Sequence, residues 1–146
     1  MQRNASTDEL YFVTLTVIDW IDVFTRRYYN DFIIENLAWC QQNANLNIYA
    51  YVIMTNHIHM VANVSDGSLG NVLGRFKSHT SKKLYEMIAG NVQESRRDWV
   101  LKAFDVQVNI TRLMKAISSG KMAIIRLFYS RRLLSNKKLT IYTKTR

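Results

Sequence analysis

The chain has no proline in 146 residues and a single cysteine, Cys40. One thiol cannot close an internal disulfide, and without a second there is no Cys-x-x-Cys pair for a redox or zinc site. Cys40 falls among Ile33, Leu37 and Trp39 in an apolar helical pattern, the ordinary setting of a buried thiol. No apolar run approaches the ~18 residues needed to cross a bilayer. Residues 1–9 are polar and lack the apolar centre of a secretory leader. These absences point to a cytoplasmic globular chain with no membrane partner. The missing proline is itself unusual, because average usage of about 5% would place roughly seven in this length.

Acid is missing too, but only from one end. Residues 1–105 carry 10 Lys+Arg and 11 Asp+Glu, whereas residues 106–146 carry 10 Lys+Arg and no acid at all. The overall charge of +9 therefore belongs to the tail. A uniformly basic protein would suggest a polyanionic partner; a basic tail on a near-neutral body asks for a separate explanation.

What is present reads as alternating strands and helices. Residues 10–18 (LYFVTLTVI) are rich in β-branched and aromatic side chains and predict a strand. Between 27 and 42, Tyr29, Phe32, Ile33, Leu37 and Cys40 recur at three- and four-residue steps, an amphipathic helix. Residues 47–54 (NIYAYVIM) and 57–63 (HIHMVAN) predict two more strands, joined closely enough to pair antiparallel. Residues 65–68 (SDGS) give a turn and a helix start, after which Leu69, Val72, Leu73, Phe76, Thr80, Leu84, Met87 and Ile88 keep helical spacing. A short helix is expected over 94–104. This order predicts an α+β fold, a ferredoxin-like antiparallel sheet with helices packed on one face.

The stretch with most chemical content is 52–61 (VIMTNHIHMV). His57 and His59 are two apart on a strand, so both imidazoles share a face while Ile58 turns to the other. Two nitrogen donors side by side suit a divalent metal. The same pattern also serves in structural histidines at a core or sheet edge, and the pair alone does not decide between them. Asn56, just before the pair, is a frequent turn residue and can shape the connection that aims His57.

A strand ending in an apolar run and followed by Asn-His-Ile-His resembles the HUH motif of single-strand DNA transposases, nearest to the REP-associated tyrosine transposase branch. The resemblance extends through YFVTLTVIDWIDVFTRRYY upstream and LGRFKSHTSKKL and ESRRDWVLKAF downstream, about residues 10–105. It implies a domain over 1–105 and DNA transposition by metal-dependent cleavage and rejoining of single-stranded DNA with hairpin ends. His57 and His59 would hold Mg or Mn against the scissile phosphate, and a tyrosine would form a phosphotyrosine intermediate. A third ligand is not identified. The resemblance also implies a homodimer in some members. Arg75, Lys77, Lys82 and Lys83, with Arg96 and Arg97 beyond them, are the candidate DNA contacts; a solvated helix face explains the same charges.

The resemblance stops after Phe104. The family's tyrosine lies in a pattern like Tyr-Ile-His-x-Asn-Pro-Val, which this chain lacks. Tyr85, Tyr129 and Tyr142 are the weak substitutes, and Tyr85 shares its helix with packing residues.

Codon arithmetic offers a reason. Residues 109–127 (NITRLMKAISSGKMAIIRL) admit a coding string that, read from its third nucleotide, gives YNKAYEGYQFWQDGNHPI, similar to the family's segment. Residues 139–146 (LTIYTKTR), treated alike, give DYIHKNP. The expectation is therefore a frameshift between about 104 and 109, with 106–146 an out-of-frame basic tail of marginal helices or disorder. That accounts for the lost prolines and the one-sided charge together. The chain would then bind metal and single strands yet lack its nucleophile. The alternative is a non-catalytic nucleic-acid-binding module or regulator, and a further one is a protein whose histidines are purely structural.

Overall fold

The computed structural model describes residues 9–115 and 125–130. The elements run β1 (Tyr11–Val17), a 3-10 turn (Ile18–Trp20), α1 (Arg27–Asn43), β2 (Leu46–Ile53), β3 (His57–Val64), α2 (Leu69–Gly90), α3 (Arg97–Lys115) and β4 (Ile125–Ser130). The strands form one sheet in the order β2-β3-β1-β4, and every neighbouring pair is antiparallel. This is the ferredoxin-like α+β plan the sequence predicts, with α3 added before the last strand.

Strand alternation divides the sheet into two faces. Tyr11, Val13, Leu15 and Val17 of β1 and Ile58, Met60, Ala62 and Val64 of β3 are all buried, and they meet Ile33 and Leu37 of α1, Leu73, Phe76 and Leu84 of α2 and Phe104 of α3 in one core. Each large apolar side chain so buried contributes about 1.5–3 kcal/mol. Phe12 and Thr14 of β1 and His57 and His59 of β3 have the opposite parity and lie on the face without helices. In β2 the register slips between Ile48, opposite Ala62, and Ala50, opposite Val61, so Tyr49 is the extra residue of a bulge. The slip reverses the alternation of β2, bringing Ile53 toward the core and Val52 beside His59.

Two expectations are corrected. The helix placed at 94–104 begins at Arg97 and runs to Lys115, because residues 105–115 (DVQVNITRLMK) contain neither glycine nor proline to end it. The tail is also not wholly marginal helix or disorder: residues 125–130 (IRLFYS) form β4 along the outer edge of β1. An edge strand offers a row of free backbone groups, and a run rich in β-branched and aromatic residues is suited to pair with it. Tyr142 lies outside the described residues. Among the described residues no helix is long and apolar enough to cross a membrane.

Candidate metal centre

The two histidines owe their placement to β3. In register His59 faces Thr14 and His57 faces Thr16, both on β1. Their ring centroids are 4.6 Å apart with the planes at 71°. Phe12 stacks on His59 at 5.2 Å, and Trp20 meets His57 edge-on at 5.8 Å. The result is a half-open patch of two imidazoles flanked by two exposed aromatic rings.

Each imidazole has one nitrogen engaged. His57 Nδ1 lies 2.7 Å from Asn56 Oδ1. The orientation of that carboxamide is settled by its other end, where Asn56 Nδ2 donates to the Trp20 carbonyl and to Asp22 Oδ1, both at 3.1 Å. An amide oxygen only accepts, so His57 Nδ1 carries the proton and Nε2 presents its lone pair. His59 Nδ1 is 2.9 Å from Thr14 Oγ1, again leaving Nε2 without a hydrogen bond among the described residues. Burial and the neighbouring His57 charge hold His59 below its ordinary value, which favours the neutral, ligating form.

Backbone geometry around the pair is unusual. Asp19 and Trp20 both have φ of 55°, the left-handed region that L-residues with large side chains seldom enter. Thus the chain leaves β1 sharply, lifting Trp20 beside His57 while its carbonyl receives Asn56. The short turn between β2 and β3 is pinned on the other side, with Val17 N–H donating to the Asn56 carbonyl at 2.9 Å and Phe24 N–H to the Thr55 carbonyl at 2.8 Å.

A second cluster braces the loop that carries Asp22. Glu94, 5% exposed, receives Arg26 Nε at 2.7 Å and Arg96 Nε at 3.2 Å. Arg96 also donates to the Asp22 carbonyl at 2.9 Å and to Thr25 Oγ1 at 3.0 Å. Burial works to raise the Glu94 carboxyl, but the hydrogen bonds from Arg26 and then Arg96 outweigh it and hold the group below the usual carboxylate range.

The cations singled out from sequence do not gather at the histidines. Arg75, Lys77, Lys82 and Lys83 lie on α2, in the helix layer on the far side of the sheet. Lys83 pairs with Glu86 at 2.8 Å, and Arg97 with Asp98 at 3.1 Å. Arg96 is held by the Glu94 cluster. Tyr85, also on α2, donates its hydroxyl to Asp105 at 3.0 Å, and that bond, with burial, raises its pKa above the ordinary phenol value. The backbone of Tyr129 is in register with Val13, whereas His59 shares the row of Thr14. Among the described residues no three His, Cys, Asp or Glu side chains group closely enough to hold a metal by themselves. Sequence reasoning missed Thr14, Phe12, Trp20 and Glu94: their roles depend on strand register and on a turn conformation that no local pattern announces.

No protein-family model matches the chain, and no curated protein matches it. Among solved structures, one titled "Structure of the REP associates tyrosine transposase bound to a REP hairpin" is similar at 14% identity and a TM-score of 0.48, over 57% of this chain and 51% of that one. The match thus spans about half of that chain's length, and at this identity and score it bears on neither the site nor the activity.

Proposed function

We propose that this domain is a divalent-metal-dependent, single-strand DNA-processing domain of the HUH tyrosine transposase type. The observation that carries the reading is the pair of imidazoles on the helix-free face, each with Nδ1 engaged and, among the described residues, no hydrogen bond on Nε2. Such a donor set fits one divalent ion and favours Mn over Mg, because imidazole nitrogen is a poor match for the harder cation. His57 and His59 would hold the ion, with the remaining positions left to phosphate oxygens, water or a side chain outside the described residues. When bound, the ion would polarise a phosphoryl oxygen and fix the phosphate in place.

The chain's own residues supply the rest. Asn56 and Thr14 orient the imidazoles, and the Asn56 amide oxygen keeps the His57 proton on Nδ1. Phe12 and Trp20 offer aromatic faces at the rim on which unpaired bases stack, a sequence-tolerant mode of holding single strands. A nucleophile is the missing part. Tyr85 is engaged with Asp105 in the helix layer, and neither Tyr129 nor Tyr142 matches the tyrosine pattern that the resemblance implies. In this reading the chain binds metal and single-stranded DNA, with hairpin ends as the substrate class, and does not cleave. The tyrosine lies in the shifted reading frame, and residues 106–146 are its out-of-frame replacement.

Two experiments test this. Nucleotide sequencing from the Trp99 codon past the stop should reveal a second frame encoding FWQDGNHPI and YIHKNP; a closed, unrelated frame contradicts the frameshift. Incubation of a labelled single-stranded hairpin with the chain and Mn should give metal-dependent retention without a covalent adduct. A phosphotyrosine adduct overturns the inactive reading, and binding unchanged in chelator and in the His57→Ala/His59→Ala variant favours a non-catalytic nucleic-acid-binding module.

A further inference from the structure

A cavity of about 380 Å³ opens between α1 and α2, in the layer on the other side of the sheet from the histidines. That volume is within the ~300–1,000 Å³ of small-ligand sites. Its floor is apolar and comes from Cys40, Val72 and Phe76, all 5% exposed or less. Burial raises the Cys40 thiol, against a smaller opposing pull from Arg75, so this part of the floor is uncharged.

The rim is of another character. Trp39 is 60% exposed and stands at the edge of the cavity. Across from it on α2 are Arg75 and His79, and among the described residues none that lines the cavity is acidic. Arg75 has no ion-pair partner among the described residues, unlike Arg26, Arg96 and Arg97. Two carboxamides complete the lining. Asn36 Nδ2 donates to the Phe32 carbonyl at 2.8 Å and Asn43 Nδ2 to the Trp39 carbonyl at 3.0 Å. Each Nδ2 spends one of its two protons on the helix, and both side chains keep Oδ1 as an acceptor.

We propose that this cavity is a nucleotide-binding site, separate from the metal centre. The ligand it fits has a flat ring to lie against Trp39, an exocyclic amine to donate to Asn36 or Asn43, and a phosphate to meet Arg75 and His79. Adenine, cytosine and guanine nucleotides meet all three requirements, and thymine lacks the exocyclic amine. The same chemistry is offered by a free mononucleotide and by an unpaired nucleotide within a strand.

Trp39 itself is the reporter. Trp20 and Trp99 are 63% and 60% exposed, so Trp20→Phe and Trp99→Phe leave one tryptophan in a folded chain. In that background, also carrying His57→Ala and His59→Ala, fluorescence is titrated with dAMP, dTMP and oligo(dA). The expected result is saturable quenching by dAMP, at least tenfold weaker with dTMP and at least tenfold weaker for Arg75→Ala. Saturation by oligo(dA) alone also supports the site and assigns the nucleotide to a strand. Absence of saturable quenching by either adenine ligand, or quenching unaltered by Arg75→Ala, overturns it. Because the histidines are removed throughout, failure of the metal reading leaves this result untouched.

Discussion

Asn56 places its carboxamide oxygen 2.7 Å from Nδ1 of the neighbouring His57, and the other end of the same group is tied to the Trp20 carbonyl and the Asp22 carboxylate. One side chain therefore sets the imidazole tautomer and joins the β2–β3 turn to the segment leaving β1. Asn56→Ala should lower Mn affinity by about 10–100-fold, the usual effect of removing a group that orients a metal-bound histidine. Calorimetric titration with Mn measures it, and unaltered affinity would show that the carboxamide does not aim the ligand.

His59 is held below its ordinary value of 6.5 by burial and by the charge on His57. Between the folded and unfolded values the folded chain binds fewer protons, so its stability falls as pH drops through 6.5 and levels off below the folded value. Urea unfolding from pH 8 to pH 5 should thus show a loss in the wild-type chain that is smaller in His59→Gln. Metal binding weakens in the same direction, since protons compete for Nε2.

The Glu94 carboxylate, paired with Arg26 and Arg96, should respond at lower pH. Its folded value is depressed, so its contribution is present above 4.5 and is lost as pH falls through the folded value. Glu94→Gln leaves two guanidinium groups short of a charged partner and should cost about 2–3 kcal/mol. Urea midpoints at pH 7 for the two chains give that number, and their difference should vanish in acid.

Phe104 of α3 is fully buried in the core. Truncation to alanine should cost about 3–5 kcal/mol, the range for removing a large core aromatic. A loss below about 1 kcal/mol would mean that α3 is not part of the cooperative core.

Much of this architecture was legible because it rests on local periodicity. Alternation in 57–64 separates Ile58 and Met60 from His57 and His59, and three- and four-residue spacing marks the inward sides of α1 and α2. The turn role anticipated for Asn56 corresponds to its bonds in the structure. What escaped sequence reading depends on partners distant in the chain. The bulge at Tyr49 appears only in the pairing of β2 with β3, and β4 exists only against the edge of β1. The bonds of Arg96 to Glu94 two residues away, and to Asp22 and Thr25 from a loop more than seventy residues earlier, were likewise not legible locally.

The central claim is that His57 and His59 together hold a divalent ion, and Mn titration by calorimetry of the wild-type chain beside His57→Ala and His59→Ala tests it most directly. One equivalent should bind to the wild type and be lost, or weakened at least tenfold, in each variant, with the fold intact by circular dichroism. Equal Mn binding by all three chains, or none by the wild type at neutral pH, would contradict it.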